Sequence, residues 1–258
     1  MKRLYMIAAL AVCTLAANAQ QKLTLSTYNG TNIEQYDGKI CDVTVNRYIF
    51  KGWNTIALPF DITTEELNET FGSDCRLEKL VGVENIGDDI QLNFQDCKAE
   101  GMQANMPYIL HFAGEAGNKK ITKEAAINAN QPVVSFTTRR GETVTMDGIQ
   151  QMTKGIGMYG ILVKDNAEAK FVKVDESLNG FLATRCCIQL SSATADKLIP
   201  NHLAAGELTS INAIASNNEK VDVYTLGGKK VASMVSTTQV SQMQPGVYVV
   251  KGQKIIIK

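Results

Sequence analysis

The feature that most constrains this chain is the period of its hydrophobic pattern. Apolar and polar residues alternate over short runs, and turn residues close each run. Leu23 to Tyr28 alternates and stops at Asn29-Gly30. Cys41 to Phe50 alternates again, so that Cys41, Val43, Val45, Arg47 and Ile49 share one face, and Gly52 ends the run. A period of two marks a strand with one buried face, because successive side chains point to opposite sides of a sheet. Asn-Gly supplies the positive φ that a tight turn requires. The same reading places strands at Trp53 to Phe60, Leu77 to Val83, Ile90 to Phe94, Pro107 to Phe112 and Val133 to Thr138. Others follow at Thr143 to Met146, Tyr159 to Val163, Ala169 to Val174 and Phe181 to Leu190. Strands this short, separated by turns, predict an all-β sandwich or barrel rather than βαβ units.

One short helix interrupts the pattern. Thr63 can cap it, and Glu66 three residues on completes a capping box. Leu67 and Phe71 then fall on one face, and Gly72 is a natural stop. The expected fold class is therefore a β-sandwich body with one short helix, followed by a small C-terminal β module.

The ends divide the chain. Lys2 and Arg3 precede an apolar run from Leu4 to about Ala17, and Ala17-Asn18-Ala19 sets small residues before a cleavage point. This is the layout of a signal peptide over residues 1–19, cut between Ala19 and Gln20, and the run is too short to span a bilayer. A lipoprotein cysteine at Cys13 is the competing reading. The body is expected over 20–192, with a division near 115–130 left open. Residues 193–216 turn small and polar, with Pro200 and Gly206 as breakers, and read as a linker. Residues 217–258 hold the final module, with no transmembrane span expected in the mature chain.

Lys and Arg total 26, as do Asp and Glu, so the chain has no basic excess with which to hold nucleic acid. Export permits disulfides. Cys75 and Cys97 flank a predicted hairpin and are the first pair to expect, although spacing does not fix connectivity. Cys186 and Cys187 are adjacent on a strand, so one should be buried and the other more exposed.

The last module carries a resemblance. VDVYTLGGKKV (Val221 to Val231) and QPGVYVVKGQKIIIK (Gln244 to Lys258) give an aromatic strand, a glycine hairpin, a basic return strand, a Pro/Gly turn, a Gly-x-Tyr strand and a terminal basic strand. The module resembles the C-terminal sorting domain of the type IX secretion system of Bacteroidota. The resemblance rests on Tyr224, Gly227, Gly228, Pro245, Gly246, Tyr248 and Lys258. It implies delivery to the outer surface or medium, with the type IX translocon as partner. Lys251, Lys254 and Lys258, with Val247 to Val250, are expected to form a basic strand edge. GWNTIALPFDI (Gly52 to Ile62), ANMPYIL (Ala104 to Leu110) and NGFLATRCCIQL (Asn179 to Leu190) are similar to β regions of exported proteins of the same group. That likeness implies location and no enzymatic activity.

Chemistry is sparse. Gly155-Ile156-Gly157-Met158-Tyr159-Gly160 spells GxGxxG, but a strand follows where a dinucleotide fold needs a helix, so it reads as a glycine turn and no cofactor is expected. His111 and His202 are the only histidines and stand far apart in sequence, so no His-rich metal site is expected. Cys187 with either histidine could be drawn as a nucleophilic pair, but nothing beside it signals a lowered pKa. Glu65, Glu66 and Glu69 read as a solvated helix face. Asp88 and Asp89 read as a turn, with calcium the alternative. Trp53, among Ile56, Leu58 and Phe60, reads as core. Tyr28, Tyr36 and Tyr48 are the candidate ligand face. The expected function is binding, adhesion or surface structure, with a glycan or a host or surface protein as ligand. The alternative is a hydrolase acting on polysaccharide or peptide.

Overall fold

A computed structural model of the chain describes residues 21–28, 30–162, 170–178, 180–192, 197–205, 207–208, 220–236, 239–240, 243–250 and 253–257. The segment 1–19, the cleavage pair Ala19 and Gln20, most of 193–216, and Lys251 and Lys258 lie outside them.

The chain is all-β. The first half holds β1 (Gln21–Leu25), β2 (Ile40–Ile49), β3 (Gly52–Ile56), α1 (Thr64–Phe71), β4 (Arg76–Ile86) and β5 (Asp89–Asp96). Then come β6 (Tyr108–Phe112), β7 (Gly117–Ala126), β8 (Val134–Thr137) and β9 (Thr143–Gly148). The body ends with β10 (Tyr159–Leu162), β11 (Lys170–Lys173), β12 (Cys186–Leu190) and β13 (Leu198–Leu203). The C-terminal sheet uses β14 (Glu207–Leu208), β15 (Val221–Thr225), β16 (Lys230–Val235), β17 (Gly246–Val250) and β18 (Gln253–Ile257).

A central sheet of order β13-β5-β4-β6-β3 is covered on both faces. One face meets β1-β2-β7 and α1, and buries Leu23, Val43, Val45, Leu67, Phe71, Leu77 and Leu110 together. The other meets β11-β10-β12-β9-β8, and buries Leu80, Leu92, Phe94 and Ile109 against Val144, Met146 and Ile188. Alternate residues of β6 thus serve different cores: Leu110 one and Ile109 the other. The capping box forms as the sequence predicts. Thr63 Oγ1 accepts from Glu66 N–H at 3.3 Å, and Glu66 Oε2 accepts from Thr63 N–H at 2.9 Å. No helix among the described residues is long and apolar enough to cross a membrane.

Four sequence expectations are corrected. The 115–130 stretch carries β7, paired antiparallel with β2 from Ile40↔Ala126 to Ile49↔Gly117, so the body is continuous there. The 193–216 stretch carries β13, which lies parallel to β5 from Leu198↔Ile90 to Leu203↔Gln95. Pro200 is tolerated because β13 is an edge strand. Cys75 and Cys97 are free thiols rather than a pair. Cys97 N–H bonds Leu77 O, which sets Cys75 two residues off register, at a diagonal of about 7–8 Å that exceeds most disulfide spans. Cys186 and Cys187 are both buried, because Val174 and Phe181 cover the second face of β12.

In the C-terminal sheet, order β14-β18-β17-β15-β16, the Gly227-Gly228 hairpin closes with Gly228 at φ 79 and its N–H on Thr225 O. Tyr248 Oη donates to Gln244 O at 3.0 Å and its ring packs on the module's core. A Cβ on Gly246 would meet that ring at 3.2 Å. Tyr224 lies under the Lys230 ammonium at 5.5 Å from its ring centroid. The basic strand edge expected at Val247 to Val250 is not an edge, because β17 is paired on both sides, with β15 and β18.

Candidate functional site

The alternation that makes β2 a strand also buries a charge. Arg47 stands in the inward row with Cys41, Val43, Val45 and Ile49, and is 4% exposed. A guanidinium leaves water at high cost unless its donors are met. Nη1 donates to Thr184 O at 2.6 Å and Nη2 donates to Thr55 O, while Nε has no partner. Burial first, and the charge of Arg185 second, push the Arg47 pKa below the usual guanidinium value.

Thr184 is placed by this contact. Its φ is 67, a left-handed conformation that β-branched residues rarely adopt and that costs about 1–3 kcal/mol. Arg47 and the Ala57 N–H both donate to its carbonyl and hold the turn. The turn delivers Arg185 just before β12. Arg185 is half-buried, with its guanidinium 6.0 Å from the Phe50 ring centroid. Burial lowers its pKa, while Tyr28 acts in the opposite direction.

These groups border an open depression of about 750 Å³. Asn46 and Tyr48 reach it from the outward row of β2, Phe50 from just past the end of that strand, and Asn118 from β7, where it pairs with Tyr48. Tyr48 and Phe50 meet edge to face at 5.1 Å. Tyr28 is 68% exposed and Tyr48 44% exposed, so both rings are accessible to a ligand. Two of the three predicted tyrosines are therefore brought together. Tyr36 is not: it follows Ile33 in a short 3-10 turn and packs on the first core. Arg185 and Phe50 are the residues sequence reasoning missed. The alternation of β2 carries a signal for Phe50 alone.

A second cluster assembles residues distant in sequence. Glu78, fully buried, accepts from Arg76 and pairs with His202 Nδ1 at 2.6 Å. His202 stacks on Trp53, with centroids 4.3 Å apart and planes at 6°. Trp53 also meets His111 edge-on at 5.1 Å and lies under Arg76 at 5.4 Å. Burial, then Arg76, lowers the His111 pKa and keeps its ring neutral at pH 7. β3 and β13 are opposite edges of the central sheet. In a flat sheet they would lie about 19 Å apart, so the stacked rings require strong coiling. Trp53, read as core, is half-buried at the rim of the second core.

The remaining candidates have structural roles. Cys187 lies against Val174 and Phe181, and burial followed by Asp147 raises its thiol pKa to about 11. The GxGxxG stretch is a turn, with Gly155 at φ 56 and Gly157 at φ 87, leading into β10. Glu65 and Glu69 face solvent, whereas Glu66 pairs with Lys123 at 2.7 Å. Asp88 sits in the β4–β5 turn, 3.7 Å from Arg140. The chain matches no protein-family model, no curated protein and no solved structure.

Proposed function

We propose that this chain is an exported binding protein that holds a glycan in the depression between Tyr28 and Tyr48, and that its C-terminal sheet serves as a sorting module for the type IX translocon. The observation that carries the binding reading is the pair of exposed tyrosine rings beside Phe50 and Arg185 on one open depression. Its volume of about 750 Å³ is in the range of small-ligand sites. Flat aromatic faces pack against the C–H faces of sugar rings, and the amides of Asn46 and Asn118 can meet hydroxyl groups. The sorting reading is supported by the strand and turn order of Val221 to Ile257 and by its resemblance to known sorting domains.

The test is binding of the full-length chain to a panel of immobilised oligosaccharides. Tyr48→Ala is expected to weaken the best interaction at least tenfold, about 1.4 kcal/mol, with unchanged thermal stability. Undiminished binding by both Tyr48→Ala and Tyr28→Ala would overturn this site, and so would the absence of binding to any saccharide.

A further inference from the structure

The charge of the depression narrows the ligand class. The chain balances 26 basic against 26 acidic residues, and several described cations are paired with an acid. Lys51 pairs with Glu115, Lys79 with Glu100, Arg140 with Asp88 and Lys230 with Asp222. Arg47 and Arg185 form no ion pair among the described residues, and the charge of Arg185 reaches Arg47 and lowers its pKa. The depression they border has no Asp or Glu in its lining. Arg47 is buried beneath it with its Nη atoms committed to two backbone carbonyls and its Nε unpartnered. Its charge is therefore fixed in place, and poorly screened by solvent. Arg185 makes no side-chain hydrogen bond within the described residues, and its guanidinium lies 6.0 Å from the Phe50 ring centroid. A strained turn at Thr184, with φ 67, holds it there.

Two adjacent cations without a counter-ion, in a lining of neutral polar and aromatic groups, form a site that lacks an anion. We propose that the depression binds an acidic saccharide, with a sugar carboxylate on the Arg185 guanidinium and the pyranose rings on Tyr28 and Tyr48. Arg185 offers a planar fork that matches a carboxylate in two hydrogen bonds, and Arg47 supplies charge from below without direct contact. The exposed rings of Tyr28 and Tyr48 favour a saccharide over an acidic peptide, because aromatic surface packs against the C–H faces of sugar rings. This assignment rests on the binding reading above.

The experiment compares trigalacturonate with its methyl ester, which has the same shape and no charge, by calorimetry on the full-length chain. The acid is expected to bind at least tenfold more tightly, with affinity that falls as salt is raised. Arg185→Gln is expected to remove most of that preference. Equal binding of acid and ester, lost in Tyr48→Ala, would keep the glycan site and overturn the anion assignment. Binding of neither would overturn the acidic-saccharide assignment, and the oligosaccharide panel would then decide the glycan reading by itself. Equal or tighter binding of tri-glutamate would overturn the saccharide assignment. Should Arg185→Gln unfold the chain, the acid–ester comparison on the wild-type protein decides alone.

Discussion

Thr184 combines two local costs: a β-branched side chain at φ 67 and a buried hydroxyl without a hydrogen-bond partner. Each is worth about 1–3 kcal/mol, and their position beside Arg185 matches the way strain gathers at functional sites. Glycine adopts this conformation freely and removes the hydroxyl, against about 0.4–1 kcal/mol of added unfolded-chain entropy. Thr184→Gly is therefore expected to stabilise the protein by about 1 kcal/mol, a rise in Tm of about 2–4 °C. A fall in Tm of similar size in a thermal melt would show that the turn is not strained. At this scale the sequence was partly readable. The alternation placed Arg47 on the inward face of β2, where it is found. It carried no sign that Thr55 O and Thr184 O would receive the guanidinium, because those partners are 8 and 137 residues away.

The helix α1 depends on its first turn. Thr63 and Glu66 satisfy two backbone N–H groups between them, and Glu66 adds a bond to Lys123 on β7. Thr63→Ala is expected to cost about 1 kcal/mol, measured by denaturant unfolding at neutral pH. Burial alone would raise the Glu66 pKa, but the Lys123 and Thr63 hydrogen bonds outweigh it and the net shift is downward. The folded state therefore holds its proton less tightly than the unfolded state, whose value is about 4.3. The stabilisation is fully present above that value and is lost as pH falls through the folded one. The Tm gap between wild type and Glu66→Gln should hold steady at pH 6–8 and close below about pH 4. A gap that widens on acidification would contradict the assignment. The strands missed in sequence are β7, β13 and the short β14. In GNKKITKEAA, Lys119 and Lys123 share the less exposed row with Ile121 and Ala125, so no apolar row appears. Lys119 lies over the Phe112 ring and Lys123 pairs with Glu66, contacts that a period-two pattern does not announce.

The body buries two cores on the two faces of one sheet, and the C-terminal module has a third core of its own from Val221, Val223, Val240, Val250, Ile255 and Ile257. That third core reaches the body at Val81 of β4. Deleting Val221 to Lys258 is therefore expected to leave the body with a cooperative thermal transition within about 5 °C of the intact chain. Loss of that transition would make the module part of the body's fold. In the native host, the same truncated chain is expected to remain in the periplasm if the sorting reading holds. Normal surface display of the truncated chain would overturn that reading.

The period-two pattern, Thr63 with Glu66, and the glycine turns determined by themselves that the chain is all-β with one capped helix, because each is a local preference of neighbouring residues. Which strands share a sheet was decided only in the tertiary structure. So was the meeting of Tyr28, Tyr48, Phe50 and Arg185, and that of Trp53 with His202 over Glu78. Arg185 reaches the tyrosines, and His202 reaches Trp53 and Glu78, across more than a hundred residues of chain, and their positions follow from sheet order and coiling. A one-dimensional pattern reports which face a residue takes, but the residue it will find across that face is fixed by the packing of the whole.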